Sequence, residues 1–216
     1  DVVFEPAVSL SWARGFTVDH YLEVVAAMIR LCGEVGGLGE RETENQIILG
    51  LKDMAGVCPP RFISALVQAL HKRWPALVLH YHRHATDGLF VPAVGAAAAA
   101  GAHIVDVNLG ASARAYGQGD ALATATYIEE ELGLPVHLNR DVARTANYVL
   151  KQVIPYYDRY CAPYFQGTDN DVTRHAMPGG ATSSSQEGAL KQGYIHLLPY
   201  MLKLLEGTRQ IVRYHD

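Results

Sequence analysis

Three histidines alternate along His80-Tyr81-His82-Arg83-His84, and this spacing is the clearest sign of chemistry in the chain. If the run ends a β-strand, side chains at i and i+2 share a face. His82 and His84 can then turn their imidazoles to one ion while Arg83 points away. A hydrogen-bonded histidine pair at a strand end is the other reading of the same pattern. Lys52 is a second candidate because it directly follows the apolar run Ile47-Ile48-Leu49-Gly50-Leu51. A free amine is protonated at neutral pH and ligates poorly. A lysine desolvated at the mouth of an apolar strand loses its proton more readily, and its neutral amine could take up carbon dioxide as a carbamate, an oxygen ligand.

The elements that must carry these residues alternate between short apolar runs and longer amphipathic stretches, the pattern of an α/β fold. Strands are predicted over 2–10, 47–51, 76–82 and 104–107. Thr17 is an expected N-cap for a helix with Leu22, Val25, Ala26 and Ile29 on one face. Pro59-Pro60 opens a helix carrying Ile63, Leu66, Val67 and Leu70, and Trp74-Pro75 closes it. A small-residue helix over 90–100 ends at Gly101, and another over 120–132 stops at Gly133. The glycine-rich, charged stretch 33–45 reads as a surface loop, and 136–138 is a brief apolar run. Helices are expected over 141–153 and 184–206, with an irregular stretch over 155–183 between them.

Parallel strands joined by helices fit a closed (β/α)8 TIM barrel or a doubly wound sheet, and a whole barrel takes roughly 250 residues. The expectation is therefore a partial TIM barrel. Residues 1–139 are its later strands and 140–216 a helical, funnel-like extension. In either architecture ligands gather at the carboxyl ends of the strands, where Lys52 and the histidine run fall.

Lys52-Asp53-Met54-Ala55-Gly56, then Leu79-His80-Tyr81-His82-Arg83-His84 with Thr86, then Ile104-Val105-Asp106-Val107, resemble successive strand ends of the carboxyltransferase domains of biotin-dependent carboxylases. That family includes pyruvate carboxylase, oxaloacetate decarboxylase and transcarboxylase. Met177-Pro178-Gly179-Gly180 is similar to a second family motif, and Glu5-Pro6-Ala7-Val8-Ser9 to an earlier strand. The resemblance implies that Lys52 is the carbamylated lysine and that His82 and His84 are imidazole ligands of zinc, manganese or cobalt. Lys52 and Thr86 are then the catalytic candidates. The implied reaction moves a carboxyl group between carboxybiotin and a 2-oxo acid of the pyruvate or oxaloacetate type. A biotin carboxyl carrier domain, a biotin carboxylase subunit or domain and a homo-oligomeric assembly are implied partners.

In the family an aspartate ligand, substrate-holding Arg and Gln side chains and a proton-shuttling threonine lie on segments that match nothing in these 216 residues. The chain opens at Asp1 without a methionine, so it reads as an internal fragment without turnover of its own. Three departures bear on the substrate: Ala85 stands where the family usually carries Asp, 108–116 replaces a Ser- and Asp-bearing loop, and Ala181 stands where Gln is common. Two rivals are a metal-dependent aldolase or acyl-transfer enzyme of the related barrel class, and a non-catalytic scaffold.

Composition excludes other classes. A net charge of −4 and a pI near 6.2 give no clustered cation surface for nucleic acid. Cys32, Cys58 and Cys161 are odd in number and lack C-x-x-C spacing, which suits a reducing cytoplasm. No apolar run reaches the roughly 18 residues of a membrane span. Asp169-Asn170-Asp171 has too few spaced oxygens for a calcium loop, and Gly33 to Gly39 does not fit a phosphate-binding turn. Ser183-Ser184-Ser185 reads as a helix start, and the tyrosines from Tyr156 to Tyr164 as packing between helices.

Overall fold

The computed structural model describes residues 3–12, 16–113, 117–158 and 168. Strands β1 (Ala7–Ser9), β2 (Ile48–Asp53), β3 (Val78–Arg83) and β4 (Ile104–Val105) lie side by side in chain order, all parallel. Sequential order with right-handed crossovers places the connecting helices on one side of the sheet, as in a barrel wall and unlike a doubly wound sheet.

Burial alternates along the strands. Leu49, Leu51 and Asp53 of β2 and Leu79, Tyr81 and Arg83 of β3 are buried, whereas Ile48, Lys52, Val78, His80 and His82 are half-buried on the opposite face. The buried face packs under α1 (Val18–Gly36), α3 (Pro60–Arg73) and α4 (Phe90–Ala99), through Tyr21, Val25 and Ile29, then Ile63, Leu66 and Leu70, then Val94 and Ala97. Each fully buried leucine there contributes about 1.5–3 kcal/mol.

Local signals act as expected at most boundaries. Thr17 Oγ1 accepts the His20 amide at 3.2 Å and caps α1. Pro60 begins α3, and Trp74 ends it. The alanine-rich α4 packs between α3 and α5 (Ala121–Glu130), and a Cβ on its Gly95 would come within 2.3 Å of the Tyr127 ring. Asp120 caps α5 by accepting the Ala123 amide at 2.7 Å.

The expected loop over 33–45 is instead largely helical. The helix α1 runs to Gly36 and turns at Gly37, with φ +67°, and α2 (Glu40–Glu44) follows. Glu42 accepts the Gly39 amide at 3.1 Å, Glu40 accepts the Trp74 indole N–H at 3.1 Å, and Thr43 is buried. Those tertiary contacts outweigh a composition that reads as a loop. Strands β1 and β4 are shorter than the runs that announce them, β1 keeping only Ala7–Ser9 of 2–10, whereas β2 and β3 start one or two residues later than expected and run on to Asp53 and Arg83. Residues 136–138 form no regular element.

The last described helix, α6 (Arg140–Asp158), runs further than the expected 141–153 and contains Pro155. It docks through Asn147, whose Oδ1 accepts the Ala111 amide at 2.8 Å, and through Arg140, which pairs with Glu129 on α5. The expected helix over 184–206, the Met177-Pro178-Gly179-Gly180 run, Ala181 and Cys161 lie outside the described residues. No described helix is long and apolar enough to cross a membrane.

Candidate functional site

Parallel pairing of β2 with β3 sets Lys52 opposite His82 and Asp53 opposite Arg83. Because side chains alternate, Lys52 and His82 share the half-buried face while Asp53 and Arg83 share the buried one. Arg83 does point away from the histidines, as the spacing requires, and it enters a closed polar network. Its guanidinium donates to Asp53 Oδ2 at 2.7 Å, to Asp87 Oδ1 at 2.5 Å, and to the carbonyls of Cys58 at 2.7 Å and Gly56 at 3.0 Å. Asp53 also accepts the amides of Val57 at 3.0 Å and Cys58 at 3.1 Å. Burial pushes the Asp53 carboxyl up from its ordinary value, against the pull of Arg83 and the two amides. Burial disfavours the Arg83 cation, but Tyr81, Asp53 and Asp87 more than offset it and hold the guanidinium charged.

This network explains the spacing in Lys52-Asp53-Met54-Ala55-Gly56. Asp53 ties its own loop back through three contacts, its carbonyl accepting the Gly56 amide at 3.2 Å and its carboxylate the two amides beyond. The same carbonyl accepts the His84 amide at 3.1 Å, so the loop fixes the backbone of the second histidine. Gly56 has φ +63°, and a Cβ there would lie 2.5 Å from the His84 carbonyl oxygen. Only glycine satisfies both demands.

On the other face, His82 Nε2 stands 3.2 Å from His84 Nε2, with the two rings edge to face. His82 Nδ1 lies 2.6 Å from Asp106 Oδ2, just beyond β4. A carboxylate can only accept, so in the neutral ring this contact places the His82 proton on Nδ1 and turns the Nε2 lone pair towards His84. Asp106 Oδ1 is 3.0 Å from His80 Nε2, and His80 Nδ1 is 2.6 Å from Glu5 Oε1. Burial alone would raise the Asp106 carboxyl, but His82 and His80 hold it below its ordinary value. Gln118 Nε2 approaches His82 Nε2 to 3.5 Å.

Two imidazole nitrogens bound at about 2.0–2.1 Å to one tetrahedral ion would stand about 3.3 Å apart, so the 3.2 Å separation suits a shared ion as well as a hydrogen bond. Among the described residues no group of three or more His, Cys, Asp or Glu side chains is arranged to hold a metal ion. Lys52 stands opposite His82 in register, on the same face of the sheet. Thr86 is fully buried in the turn after β3, away from solvent. Ala85 donates its amide to the Gly117 carbonyl at 2.8 Å, which holds the 117–119 segment against the histidine run.

Sequence reasoning identified Lys52, His82 and His84 but gave no role to Glu5, His80 or Asp106 in the site. The signal for them was available as a period-2 pattern. His80 shares a face with His82, and Asp106 follows the neighbouring strand. A cleft of about 520 Å³ lies on the helix side among Val91, Leu122, Thr126, Tyr127, Arg140 and Arg144, and none of the residues around it belongs to the histidine cluster.

The fold and site together define a run of β/α units from a parallel barrel, with polar side chains gathered at the carboxyl ends of its strands. No protein-family model matches the chain. Among curated proteins it is similar to pyruvate carboxylase of Schizosaccharomyces pombe, 28% identical over 186 residues that make up 83% of this chain and 14% of that protein. Pyruvate carboxylase of Aspergillus terreus is 33% identical over 170 residues, 77% of this chain and 13% of that protein. The solved carboxyl transferase domain of Rhizobium etli pyruvate carboxylase with pyruvate superposes with a TM-score of 0.72 at 22% identity, over 92% of this chain and 32% of that one. The same domain with oxamate and biotin gives 0.73 at 23%, over 93% and 32%. The homologues of this chain are pyruvate carboxylases, and its fold is that of part of their carboxyltransferase barrel domain. It spans 13–14% of the length of these two curated relatives.

Proposed function

We propose that this segment carries part of the active site of a biotin-dependent carboxyltransferase, which moves a carboxyl group between carboxybiotin and a 2-oxo acid. What supports this reading is the 3.2 Å approach of His82 Nε2 to His84 Nε2 at a strand end, with Lys52 opposite His82 in register, in a chain similar to pyruvate carboxylases. His82 and His84 would hold a divalent ion, zinc, manganese or cobalt, through their Nε2 atoms, and Lys52 would complete the set as a carbamate. Such an ion supplies Lewis acidity that stabilises negative charge developing on the oxygen of a 2-oxo acid.

The residues of the chain supply orientation. Asp106 fixes the His82 ring, and the Asp53–Arg83–Asp87 network fixes the strand ends that bear Lys52 and His84. Thr86, buried in the turn after β3 close behind His84, stands in this reading with Lys52 as a catalytic candidate. Biotin would arrive on a carrier domain charged by a biotin carboxylase subunit or domain, and the assembly would be a homo-oligomer.

Elemental analysis of the purified full chain tests the reading, with Lys52→Ala and His82→Ala alongside. Near-stoichiometric divalent metal in the parent, lost in both variants, is the expected result. Metal-free parent protein, or occupancy indifferent to both substitutions, would overturn it in favour of a non-catalytic scaffold.

A further inference from the structure

Among the described strands only β2 contains a glycine, and it stands on the half-buried face. Gly50 pairs in register with Ala7 on one side and His80 on the other. A Cβ at this position would come 3.0 Å from the Ala7 Cβ and 3.1 Å from Glu5 Oε1. The Glu5 carboxylate therefore crosses β2 over the bare Gly50 to reach His80 on β3. Glycine weakens a strand interior, so its presence here calls for a close approach of this kind.

From Glu5 the contacts continue without a break. Carboxylate and imidazole alternate: Glu5 to His80 at 2.6 Å, His80 to Asp106 at 3.0 Å, Asp106 to His82 at 2.6 Å, and His82 to His84 at 3.2 Å. The chain crosses the whole face, from the residues before β1 to those after β4. The His80 Nε2 contact with Asp106 is an ion-pair approach without hydrogen-bond alignment, whereas Nδ1 of His82 meets a carboxylate oxygen directly and its Nε2 faces His84 and Gln118.

We infer that Glu5, His80 and Asp106 are positioning residues that hold the His82 ring with its proton on Nδ1 and its Nε2 lone pair towards His84, and that Gly50 is the opening through which Glu5 completes the chain. The consequence for metal binding rests on the function proposed above, whereas the orientation and tautomer of His82 do not. Outer partners of this kind typically change metal affinity by about 10–100-fold when removed.

The test has two readouts in the full chain: the histidine tautomers of the metal-free protein, from long-range ¹H–¹⁵N NMR, and Co²⁺ affinity by titration. The unsubstituted protein is expected to show His82 protonated on Nδ1. Asp106→Asn should mix the two tautomers and weaken Co²⁺ binding by about 10–100-fold. Gly50→Ala leaves every polar group in place but crowds Glu5, and should move both readouts in the same direction by less. Glu5→Gln is the isosteric partner to it and serves if Asp106→Asn fails to fold. An Nε2-protonated His82 in the unsubstituted protein overturns the inference. So does an Asp106→Asn variant, or Gly50→Ala together with Glu5→Gln where that variant fails to fold, that leaves tautomer and affinity unchanged. If the unsubstituted protein binds no Co²⁺, the metal reading falls, and the tautomer measurement still decides the positioning chain.

Discussion

Replacing Arg83 by methionine should destabilise the protein more than any single loss of apolar contact in the same strand. The guanidinium is fully buried and bridges two buried carboxylates and two carbonyls. Its removal leaves Asp53 and Asp87 facing each other across a space that water does not reach. Breaking a buried pair from one side costs about 3–5 kcal/mol, because the partner charge stays behind. That is a large share of the about 5–15 kcal/mol that separates folded from unfolded protein. With a urea slope near 2 kcal/mol per molar, the unfolding midpoint should fall by about 1.5–2.5 M.

The pH dependence of the loss identifies its cause. In the variant, Asp53 and Asp87 no longer have a cation beside them, and burial raises a carboxyl above its ordinary value, a direction already set for Asp53 in the intact protein. A carboxyl raised in the folded state contributes stability below its unfolded value, and that contribution is lost as pH rises through the folded value. The penalty of Arg83→Met should therefore be larger at pH 8 than at pH 5. Adding Asp53→Asn and Asp87→Asn should recover part of it and flatten its dependence on pH. A midpoint shift below about 0.5 M, roughly 1 kcal/mol, or a penalty identical at both pH values, would refute the account.

Two further changes probe other parts of the site. Gly56→Ala forces a Cβ to within 2.5 Å of the His84 carbonyl at φ +63°, so a loss of about 1–3 kcal/mol in urea unfolding is expected, with weaker Co²⁺ binding because the displaced group carries a proposed ligand. His103 accepts the Leu79 amide through Nδ1 at 3.1 Å, and burial with His71 nearby lowers its pKa. Its neutral form is therefore favoured by folding, and the stability it adds above the ordinary histidine value is lost as pH falls through the lowered one. Between pH 7 and pH 5 the unsubstituted protein should lose more stability than His103→Gln, as read by parallel urea curves.

Much of this was legible in the sequence because two short periods do most of the placing. A period of 2 puts His82 and His84 on one face and Arg83 on the other, and the structure keeps that division. Thr17, Pro60, Gly101 and Gly133 mark helix ends through backbone chemistry that needs no tertiary knowledge. The α2 helix was not legible, because its cause is Trp74, 34 residues from Glu40 in the chain. The partners of Arg83 were hidden for the same reason. Nothing local says that an arginine between two histidines will be enclosed by an aspartate from the preceding strand and another four residues on.

Arg83 and the histidines beside it show how one strand can serve two incompatible surroundings. A site that binds cations needs open, half-wet side chains, whereas the strand ends that bear them must not move. Alternation separates the two demands. Odd-numbered residues of β3 (Leu79, Tyr81 and Arg83) are locked into the buried side, and even-numbered ones (His80 and His82) lie half-buried on the opposite face. The backbone of His84 is held by way of the Asp53 carbonyl, from the buried side of the loop. Substitutions on the buried side should therefore act on stability first and on binding through it. Those on the open side, Asp106 and Glu5 above all, should act on binding while leaving the fold intact.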